Sequence, residues 1–337
     1  MTETTKYYDC YFLNSGLHFN PDEMRFCCAP KVIGPKVCFE NFDYDIILKE
    51  LFEKRNTVIS QMKKHIIPEE CQSCIYLTEN DQPNDSENTE STNFPKISSI
   101  IINHFKQCDC RCCYCTTIGY HGEFVTEPIK SKYYDLLPIL ETLYEQDLID
   151  KNSLNVEFQG GSIGVLEEFP DVVNIFLKNN VKSISFFSNG IKYSKAIQEA
   201  SEKAKCLLIT SVDAGTAETF KKLKKVDKFN QVITNLKRYK EEAPYLVITA
   251  KYILIDGIND NEEELDKFLN AVADAKVNNV QMDLDFRKVM FNDGKKYVVP
   301  QKYKDLYKFF DKRAKELGVC PYVWGYVQNI LDKGYSE

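Results

Sequence analysis

The sequence contains no long hydrophobic run and no excess of basic residues. No stretch approaches the roughly 18 consecutive apolar residues that span a bilayer, so we expect no membrane segment. The opening residues, MTETTKYYDCYF, lack the basic start and apolar core of a secretory signal. A net charge of −7 argues against a general nucleic-acid surface, because phosphate contacts need clustered Lys and Arg. These absences predict a cytoplasmic protein that binds neither membrane nor nucleic acid.

Cysteine, by contrast, is abundant and unevenly distributed. The 337-residue chain has 13 cysteines, and only Cys206 and Cys320 lie beyond residue 115. The first group comprises Cys10, Cys27, Cys28, Cys38, Cys71 and Cys74, and the second comprises Cys108, Cys110, Cys112, Cys113 and Cys115. Because the cytosol keeps thiols reduced, metal or cluster binding explains them better than disulfides. Two groups predict two metal sites.

A polar segment divides the chain. Residues 78–95, TENDQPNDSENTESTNFP, are acidic, contain proline and have almost no apolar content, which is typical of a linker. We therefore expect a cysteine-rich module over 1–77, a larger body over 96–320 and a C-terminal tail over 321–337.

The body alternates strand and helix patterns in six units. The predicted strands are KISSIIINHF, LNVEFQ, VKSISFFSNG, KCLLITSVDAG, YLVITAKYILID and NVQMDLDF, and a helical pattern follows each. Such alternation predicts an α/β fold of parallel strands, either an open doubly wound sheet or a partial barrel. In both, the active site lies at the carboxyl ends of the strands, which is where the CDCRCCYC run follows the first strand.

Within that run, Cys108, Cys112 and Cys115 have the spacing C-x3-C-x2-C. Three thiolates can hold three irons of a [4Fe–4S] cubane and leave the fourth iron open, whereas ordinary ferredoxin sites close it. The alternative is a zinc knuckle. We interpret Cys110 and Cys113 as residues that fill the loop rather than ligands.

The spacing, the aromatic Tyr114 before the last cysteine and the (β/α)6 pattern together resemble the radical S-adenosylmethionine (radical SAM) superfamily over about residues 97–290. The resemblance implies a partial (β/α)6 TIM barrel whose three-cysteine [4Fe–4S] cluster binds SAM. It also implies reductive cleavage of SAM to a 5′-deoxyadenosyl radical, which abstracts a hydrogen from the substrate. The electron would come from an external donor of the flavodoxin or ferredoxin type.

The resemblance also implies cofactor-binding residues at the strand ends. These are Tyr114, Gly160, Gly161, Ser162, Ser188, Asn189, Ser211, Asp213 and Lys251. Ser162 stands where the family's glycine-glycine-glutamate motif has its carboxylate, so this chain would offer a hydroxyl and backbone carbonyls in place of the charge. Simpler interpretations are an ordinary glycine turn, a helix cap at Asp213 and a solvated charge at Lys251.

Candidate catalytic residues follow from the same placement. Asp213 is one, and Cys206 is another because a thiol could donate hydrogen to a substrate radical, although a cysteine in AKCLLIT is more often a core residue. Asp283, Asp285 and Arg287 on the last strand should face the substrate end of the cavity, unless they are simple strand-end polarity.

The N-terminal cysteines are similar to those of SPASM or twitch extensions, which usually follow the barrel rather than precede it. We expect one auxiliary [4Fe–4S] cluster, used for electron transfer, on Cys10, Cys27, Cys71 and Cys74. Cys28 is the alternative to Cys27, and Cys38 is a spare. The other interpretation is a structural zinc in a module with little core.

Three functions remain open. The chain could be a radical SAM enzyme of the oxidoreductase type that crosslinks, epimerises or oxidises a peptide. The same chemistry could act on a sugar or other small metabolite. The third possibility is a zinc-binding module without catalysis.

Overall fold

The computed structural model describes residues 5–21, 23–26, 43–72, 74, 76–82, 94–115, 134–285, 287, 298–323 and 325–333. The chain forms two compact units. The first comprises Met1–Phe105, Lys130–Phe158 and Asp171–Ile184, and the second comprises Lys106–Ile129, Gln159–Pro170 and Ser185–Glu337. No helix in these described ranges combines the length and apolarity needed to cross a bilayer. Cys27, Cys28 and Cys38 lie outside the described residues.

The first unit is built on parallel strands. Its elements are β1 (Thr5–Cys10), α1 (Tyr11–Ser15), β2 (Gly16–Phe19), β3 (Met24–Arg25), α2 (Tyr44–Lys63), β4 (Leu77–Gln82), β5 (Ser99–Ile102), α3 (Leu136–Glu145) and β6 (Asn155–Phe158). Strand β5 pairs in parallel with β2 on one side and β6 on the other, and β3 pairs antiparallel with β2. Leu17, Ile100 and Phe158 from the three parallel strands are fully buried. Their apolar side chains form the core of this unit.

The N-terminal segment differs from the predicted module and linker. Strand β2 joins the sheet of β5, so the segment before residue 78 is not a separate domain. Strand β4 pairs antiparallel with β1 along its whole length, from Cys10↔Leu77 to Thr5↔Gln82. The predicted linker therefore begins with a strand. Polar side chains are compatible with this strand, since antiparallel pairing is made by the backbone and one face can remain in water. Residues 83–93 lie outside the described residues.

A buried arginine holds this unit together. The Arg55 guanidinium, on α2, donates to the carbonyl of Leu13 at 2.8 Å and to that of Pro95 at 2.7 Å. It also lies 4.8 Å from the ring centroid of Phe26. Burial lowers the pKa of Arg55 to about 10. The side chain thus satisfies carbonyls of α1 and of the segment before β5 with one cation.

The second unit repeats the strand–helix alternation. Two elements, α4 (Phe169–Lys178) and β7 (Ser183–Ser188), contain the points where the chain passes between units. The others are α5 (Lys195–Ser201), β8 (Lys205–Ser211), α6 (Ala217–Lys224), α7 (Phe229–Glu242), β9 (Val247–Leu254), α8 (Glu262–Asp274), β10 (Asn279–Leu284), α9 (Gln301–Glu316), β11 (Cys320–Tyr322) and α10 (Gly325–Lys333). Strands β8 to β11 pair in parallel in that order. The predicted α/β fold with parallel strands is confirmed.

The C-terminal segment is not the tail that the sequence predicted. Strand β11 pairs with β10, and α10 buries Val327, Ile330 and Leu331. The three-residue strand is too short, and its proline too atypical of a strand, to give a periodic signal.

Candidate active site

A cavity of about 380 Å³ lies in the second unit, at the carboxyl ends of its parallel strands. Ser211 at the end of β8 faces Lys251 of β9 in register, and both line the cavity. Four thiols of the cysteine run, those of Cys108, Cys110, Cys112 and Cys115, line it as well. This volume is within the range of about 300–1,000 Å³ of small-molecule sites.

The cysteine run is folded around Cys110. The Cys110 side chain is 1% exposed, and its backbone N–H lies 3.4 Å from the Cys108 sulfur. Its thiol also forms hydrogen bonds with Cys108 and Cys112. The sulfurs of Cys108 and Cys110 and a carboxylate oxygen of Asp109 lie within 4.8 Å of one another. Cys110 therefore contacts two of the predicted ligands directly and lines the cavity with them. Cys113 does not line the cavity.

This contact changes the acidity of the outer thiols. The hydrogen bond with Cys110 lowers the pKa of Cys112 to about 6, burial opposes this effect, and the positive charge of Lys224 assists it. The same partner lowers the pKa of Cys108. Thiolates are the ligating form of cysteine, so a lowered pKa favours metal binding by either side chain.

The backbone of the run is held from two directions. The N–H groups of Arg111 and Cys113 donate at 2.9 Å to the carbonyls of Lys224 and Leu223, at the end of α6. The last carbonyls of a helix have no partner within the helix, so they are available as acceptors. From the other side, Arg287 donates to the Cys113 carbonyl at 2.5 Å. The Arg287 guanidinium also pairs with Asp285 at 2.6 Å.

The end of β7 binds the same loop through side chains. Asn189 Nδ2 donates to Asp109 Oδ1 at 2.5 Å and lies 3.5 Å from the Cys110 sulfur. Ser188 Oγ accepts the N–H of Gly190 at 3.1 Å. Ser188 and Asn189 both line the cavity.

A glycine turn approaches the residue before the run. Gly160 has φ +100°, and a Cβ on Gly161 would lie 2.0 Å from the Gln107 carbonyl oxygen. The next N–H, of Ser162, donates to that same oxygen at 2.8 Å. The Ser162 hydroxyl is buried and has no hydrogen-bond partner among the described residues. Gly160 and Gly161 line the cavity, whereas Ser162 does not. A wall of glycine backbone lets a bound ligand approach closely.

Asp213 does not line the cavity, contrary to its predicted place beside the cofactor. Its carboxylate is fully buried: Oδ1 accepts the Ile253 N–H at 2.8 Å, and Oδ2 accepts from Lys224 at 2.5 Å and from the Tyr114 hydroxyl. Nor does it cap α6, since Thr216 is the N-cap. Tyr114 does line the cavity, so Asp213 contacts the wall from behind.

Lys224 is the functional candidate that sequence reasoning missed. It is the last residue of α6, its side chain is 2% exposed, and it lines the cavity. The available signal was its position at i+4 from Phe220 and i+1 from Leu223, on the apolar face of the helix. A lysine there needs a buried partner.

Of the remaining predicted residues, three line the cavity and two do not: the first group is Lys251, Asp285 and Arg287, and the second is Asp283 and Cys206. Lys251 forms an ion pair with Asp283 at 2.6 Å, and burial raises the pKa of Asp283 while Lys251 opposes that rise. Asp285 and Arg287 line the cavity. Cys206 does not: it is 4% exposed near the amino end of β8, on the face opposite to Ile209 and Ser211, and burial raises its pKa to about 12. The simpler interpretation of Cys206 as a core residue fits this position.

Three of the four predicted auxiliary ligands lie at or just before one end of the ribbon of β1 and β4 in the first unit. Cys10 ends β1 opposite Leu77, and Cys71 and Cys74 precede β4. The Cys74 N–H donates to the Cys71 carbonyl at 3.1 Å, and the charge of Cys74 contributes to the raised pKa of Cys10, after burial. Cys27 and its alternative, Cys28, lie outside the described residues.

The sequence is similar to known radical SAM proteins. A family model described as the radical SAM superfamily matches residues 102–269, about half of the chain. GTP 3′,8-cyclase from Pasteurella multocida (strain Pm70) is 27% identical over 176 residues, which cover 50% of this chain and 48% of that protein.

Solved structures are similar in fold. SuiB of Streptococcus suis bound to the precursor peptide SuiA has a TM-score of 0.52 at 11% identity, covering 82% of this chain and 54% of that chain. Native anSMEcpe with bound AdoMet has a TM-score of 0.50 at 18% identity, covering 71% and 68%. The chain thus spans about half the length of the cyclase and of SuiB.

Proposed function

The chain belongs to the radical SAM superfamily, and from this we propose that it is a peptide-modifying enzyme whose Cys108, Cys112 and Cys115 hold a [4Fe–4S] cluster beside SAM. When bound, the cluster and SAM supply one-electron cleavage of a sulfonium bond and hydrogen abstraction from the substrate. The protein's own task is to bind, orient and insulate these groups.

One observation carries the proposal. The three cysteines line one cavity with the glycine turn and with the strand-end residues Ser188 and Ser211. The lowered pKa values of Cys108 and Cys112 favour ligation by thiolate. A zinc site does not need a glycine-walled cavity of this size beside its thiols.

Individual residues have distinct tasks in this proposal. The backbone at Gly160 and Gly161, which lines the cavity, receives the polar end of SAM. The ring of Tyr114, whose hydroxyl is bound to Asp213, offers an apolar face to the cavity. Arg287 and Asp285, which line the cavity beyond the loop, orient the substrate.

A peptide substrate is supported by SuiB, which has been crystallised with a precursor peptide. The second candidate is a small metabolite, and the name of the relative GTP 3′,8-cyclase favours it. A short precursor peptide encoded beside this chain, converted to a product of altered mass, would support the first candidate. Turnover of a nucleotide or sugar with no reaction on that peptide would support the second.

We further propose the auxiliary cluster on Cys10, Cys71, Cys74 and either Cys27 or Cys28. Support comes from the ribbon of β1 and β4, which brings the first three cysteines to one end. A cluster accepts thiolates that are further apart than the ligands of a single ion, because each thiolate binds a different iron. Its role would be to accept the electron that remains after hydrogen abstraction.

An external electron donor of the flavodoxin or ferredoxin type completes the scheme, which suits the reducing cytoplasm. The exposed residues Arg111, Lys221, Lys222 and Lys225 support its docking beside the cysteine run. Arg111 belongs to the run itself, and the three lysines lie in or just after the last turn of α6, on a chain of net charge −7. Opposite charges steer such encounters and make them sensitive to salt.

The test is anaerobic reconstitution of the whole chain. We expect about eight irons per chain for two clusters, and dithionite-dependent formation of 5′-deoxyadenosine from SAM. About four irons with intact SAM cleavage would refute only the auxiliary cluster. The alternative of a zinc-binding module is supported by Cys108, Asp109 and Cys110, whose ligand atoms lie close enough together to hold one ion. A colourless, zinc-loaded protein would overturn the enzymatic proposal.

A further inference from the structure

Lys224 is a buried cation at the wall of the cavity. Its ammonium donates to Asp213 Oδ2 at 2.5 Å and to the Tyr114 hydroxyl, and it lies 5.0 Å from the centroid of the Tyr114 ring. Lysine is almost never fully buried unless it is paired, since desolvation of the charge is costly. An apolar residue would complete the inner face of α6 without this cost. Stability of the helix alone therefore does not account for Lys224.

The same residue holds the cysteine run through its backbone. Its carbonyl accepts the Arg111 N–H at 2.9 Å, between Cys110 and Cys112. Its side chain binds Tyr114, between Cys113 and Cys115. Lys224 thus contacts both halves of the C-x3-C-x2-C segment. Its backbone carbonyl binds the first half, and its ammonium binds the second.

Asp213 connects this contact to the strand ends. It follows β8 with φ +60°, and its Oδ1 accepts the Ile253 N–H of β9 at 2.8 Å. Asn259 Nδ2 donates to the Asp213 carbonyl at 2.8 Å. The carboxylate is therefore fixed in place, and so is the ammonium that it neutralises.

The charge of Lys224 also faces the thiols. Lys224 lines the same cavity as Cys108, Cys112 and Cys115. A cluster on three thiolates becomes more negative when it takes up an electron, and a fixed cation in a low-dielectric wall stabilises that added charge. The paired carboxylate reduces this effect but lies behind the wall, outside the cavity lining.

We propose that Lys224 is a positioning residue for the reactive centre: it fixes Tyr114 and the cysteine run against β8, and its charge makes the cluster easier to reduce. The inference rests on the proposed function, since it concerns the cluster that Cys108, Cys112 and Cys115 would hold. It adds a residue outside the cysteine motif and the strand-end motifs.

The experiment compares Lys224→Met, which removes the charge, with Lys224→Arg, which keeps it. Lys203→Met is the control, because Lys203 is exposed and lies outside both the cavity lining and the proposed docking patch. The proteins are reconstituted anaerobically, and their iron content, midpoint potential and paramagnetic resonance spectrum with and without SAM are measured. For Lys224→Met we expect a more negative midpoint potential, a weaker spectral change on adding SAM and faster iron loss to a chelator. Lys224→Arg should recover the potential at least in part, and Lys203→Met should match the wild type.

A wild-type potential and SAM response in Lys224→Met would overturn the inference. If that variant does not fold, Tyr114→Phe replaces it, since only one hydroxyl is lost: faster iron loss supports the inference, and an unchanged rate overturns it. Failure of the wild type itself to bind a cluster or cleave SAM would instead refute the proposed function.

Discussion

Asn189 Nδ2 donates to Asp109 Oδ1 at 2.5 Å, which joins the end of β7 to the cysteine run by a hydrogen bond to a carboxylate. The same amide lies 3.5 Å from the Cys110 sulfur. One side chain thus fixes the loop between its first and second cysteines. Lys224 and Arg287 fix it further along, so hydrogen bonds within the protein hold the loop at several points.

Asn189→Ala should loosen this loop. Hydrogen bonds to charged groups contribute about 1.5–3 kcal/mol, and the loss should appear as a lower unfolding midpoint of the apoprotein and faster iron release to a chelator. Asn270→Ala is the control, because Asn270 is an exposed residue of α8. Equal iron release by the two variants would mean that Asn189 does not restrain the loop.

Replacing cysteines one at a time should separate ligands from neighbours. Cys108→Ala, Cys112→Ala and Cys115→Ala should each abolish SAM cleavage, since each removes one of three iron ligands. Cys113→Ala, outside the cavity wall, should retain it. Cys110→Ala should retain a cluster but bind it less well at low pH, because Cys110 lowers the pKa of Cys112 to about 6. An inactive Cys110 variant beside an active Cys112 variant would reverse the ligand assignment.

Gly161→Ala should damage the wall of the cavity. The added Cβ would lie 2.0 Å from the Gln107 carbonyl oxygen, so the glycine turn and the residue before the cysteine run must separate. Gly257→Ala is the control: it has φ +71° but no atom within 4 Å, so it should cost only about 1–2 kcal/mol of left-handed strain. Urea unfolding of the two apoproteins measures the difference. Equal losses of stability would show that close approach is not the constraint at Gly161.

Lys251→Met should make stability depend on pH through Asp283. Removing one partner of a buried ion pair costs about 3–5 kcal/mol, and we expect the lower end because the Lys251 side chain is 16% exposed. Burial raises the pKa of Asp283, so its folded state binds a proton above the ordinary Asp pKa of about 3.9. Stability gained from that proton is present below the raised pKa and lost as pH rises through it.

The deficit of Lys251→Met should therefore shrink from pH 8 to pH 5. The double variant Lys251→Met/Asp283→Asn lacks the buried acid and should show a smaller deficit with little pH dependence. Chemical unfolding at both pH values provides the measurement. A deficit in the single variant that is independent of pH would contradict this explanation.

Charge reversal at Lys221→Glu/Lys222→Glu should slow reduction by flavodoxin but not by dithionite. The small reductant needs no docking surface, whereas the acidic protein is steered by charge. Lys308→Glu/Lys312→Glu, exposed on α9, is the matched control. Stopped-flow measurements at two salt concentrations would test this, and equal flavodoxin rates for both variants would exclude the patch.

The sequence predicted the strand–helix alternation and most of the cavity wall because these depend on local patterns. Hydrophobic periodicity identified each strand of the body, and parallel strands bring their carboxyl ends together whatever the details. Ser188, Asn189, Ser211 and Lys251 accordingly line one cavity.

Long-range pairing was not predictable in the same way. Asp213 was expected at the cofactor because its position after β8 was readable, but its carboxylate pairs with a lysine in the following helix. The strand in Thr78–Gln82 is polar, and only its pairing with β1 makes it a strand. Both depend on partners that no local pattern reveals.

The pairing of β2 with β5 has a consequence for how the protein is made. Leu17 and Phe19 are fully buried, yet β5, the parallel partner of their strand, follows the polar segment. During synthesis these side chains lack the packing that β5 provides until β5 has left the ribosome. Cys10, which lies shortly before them in the chain, is synthesised before this packing can form. Non-local contacts form late and leave hydrophobic surface exposed meanwhile. Iron that reaches Cys10 before then would meet a segment that has not yet acquired its fold.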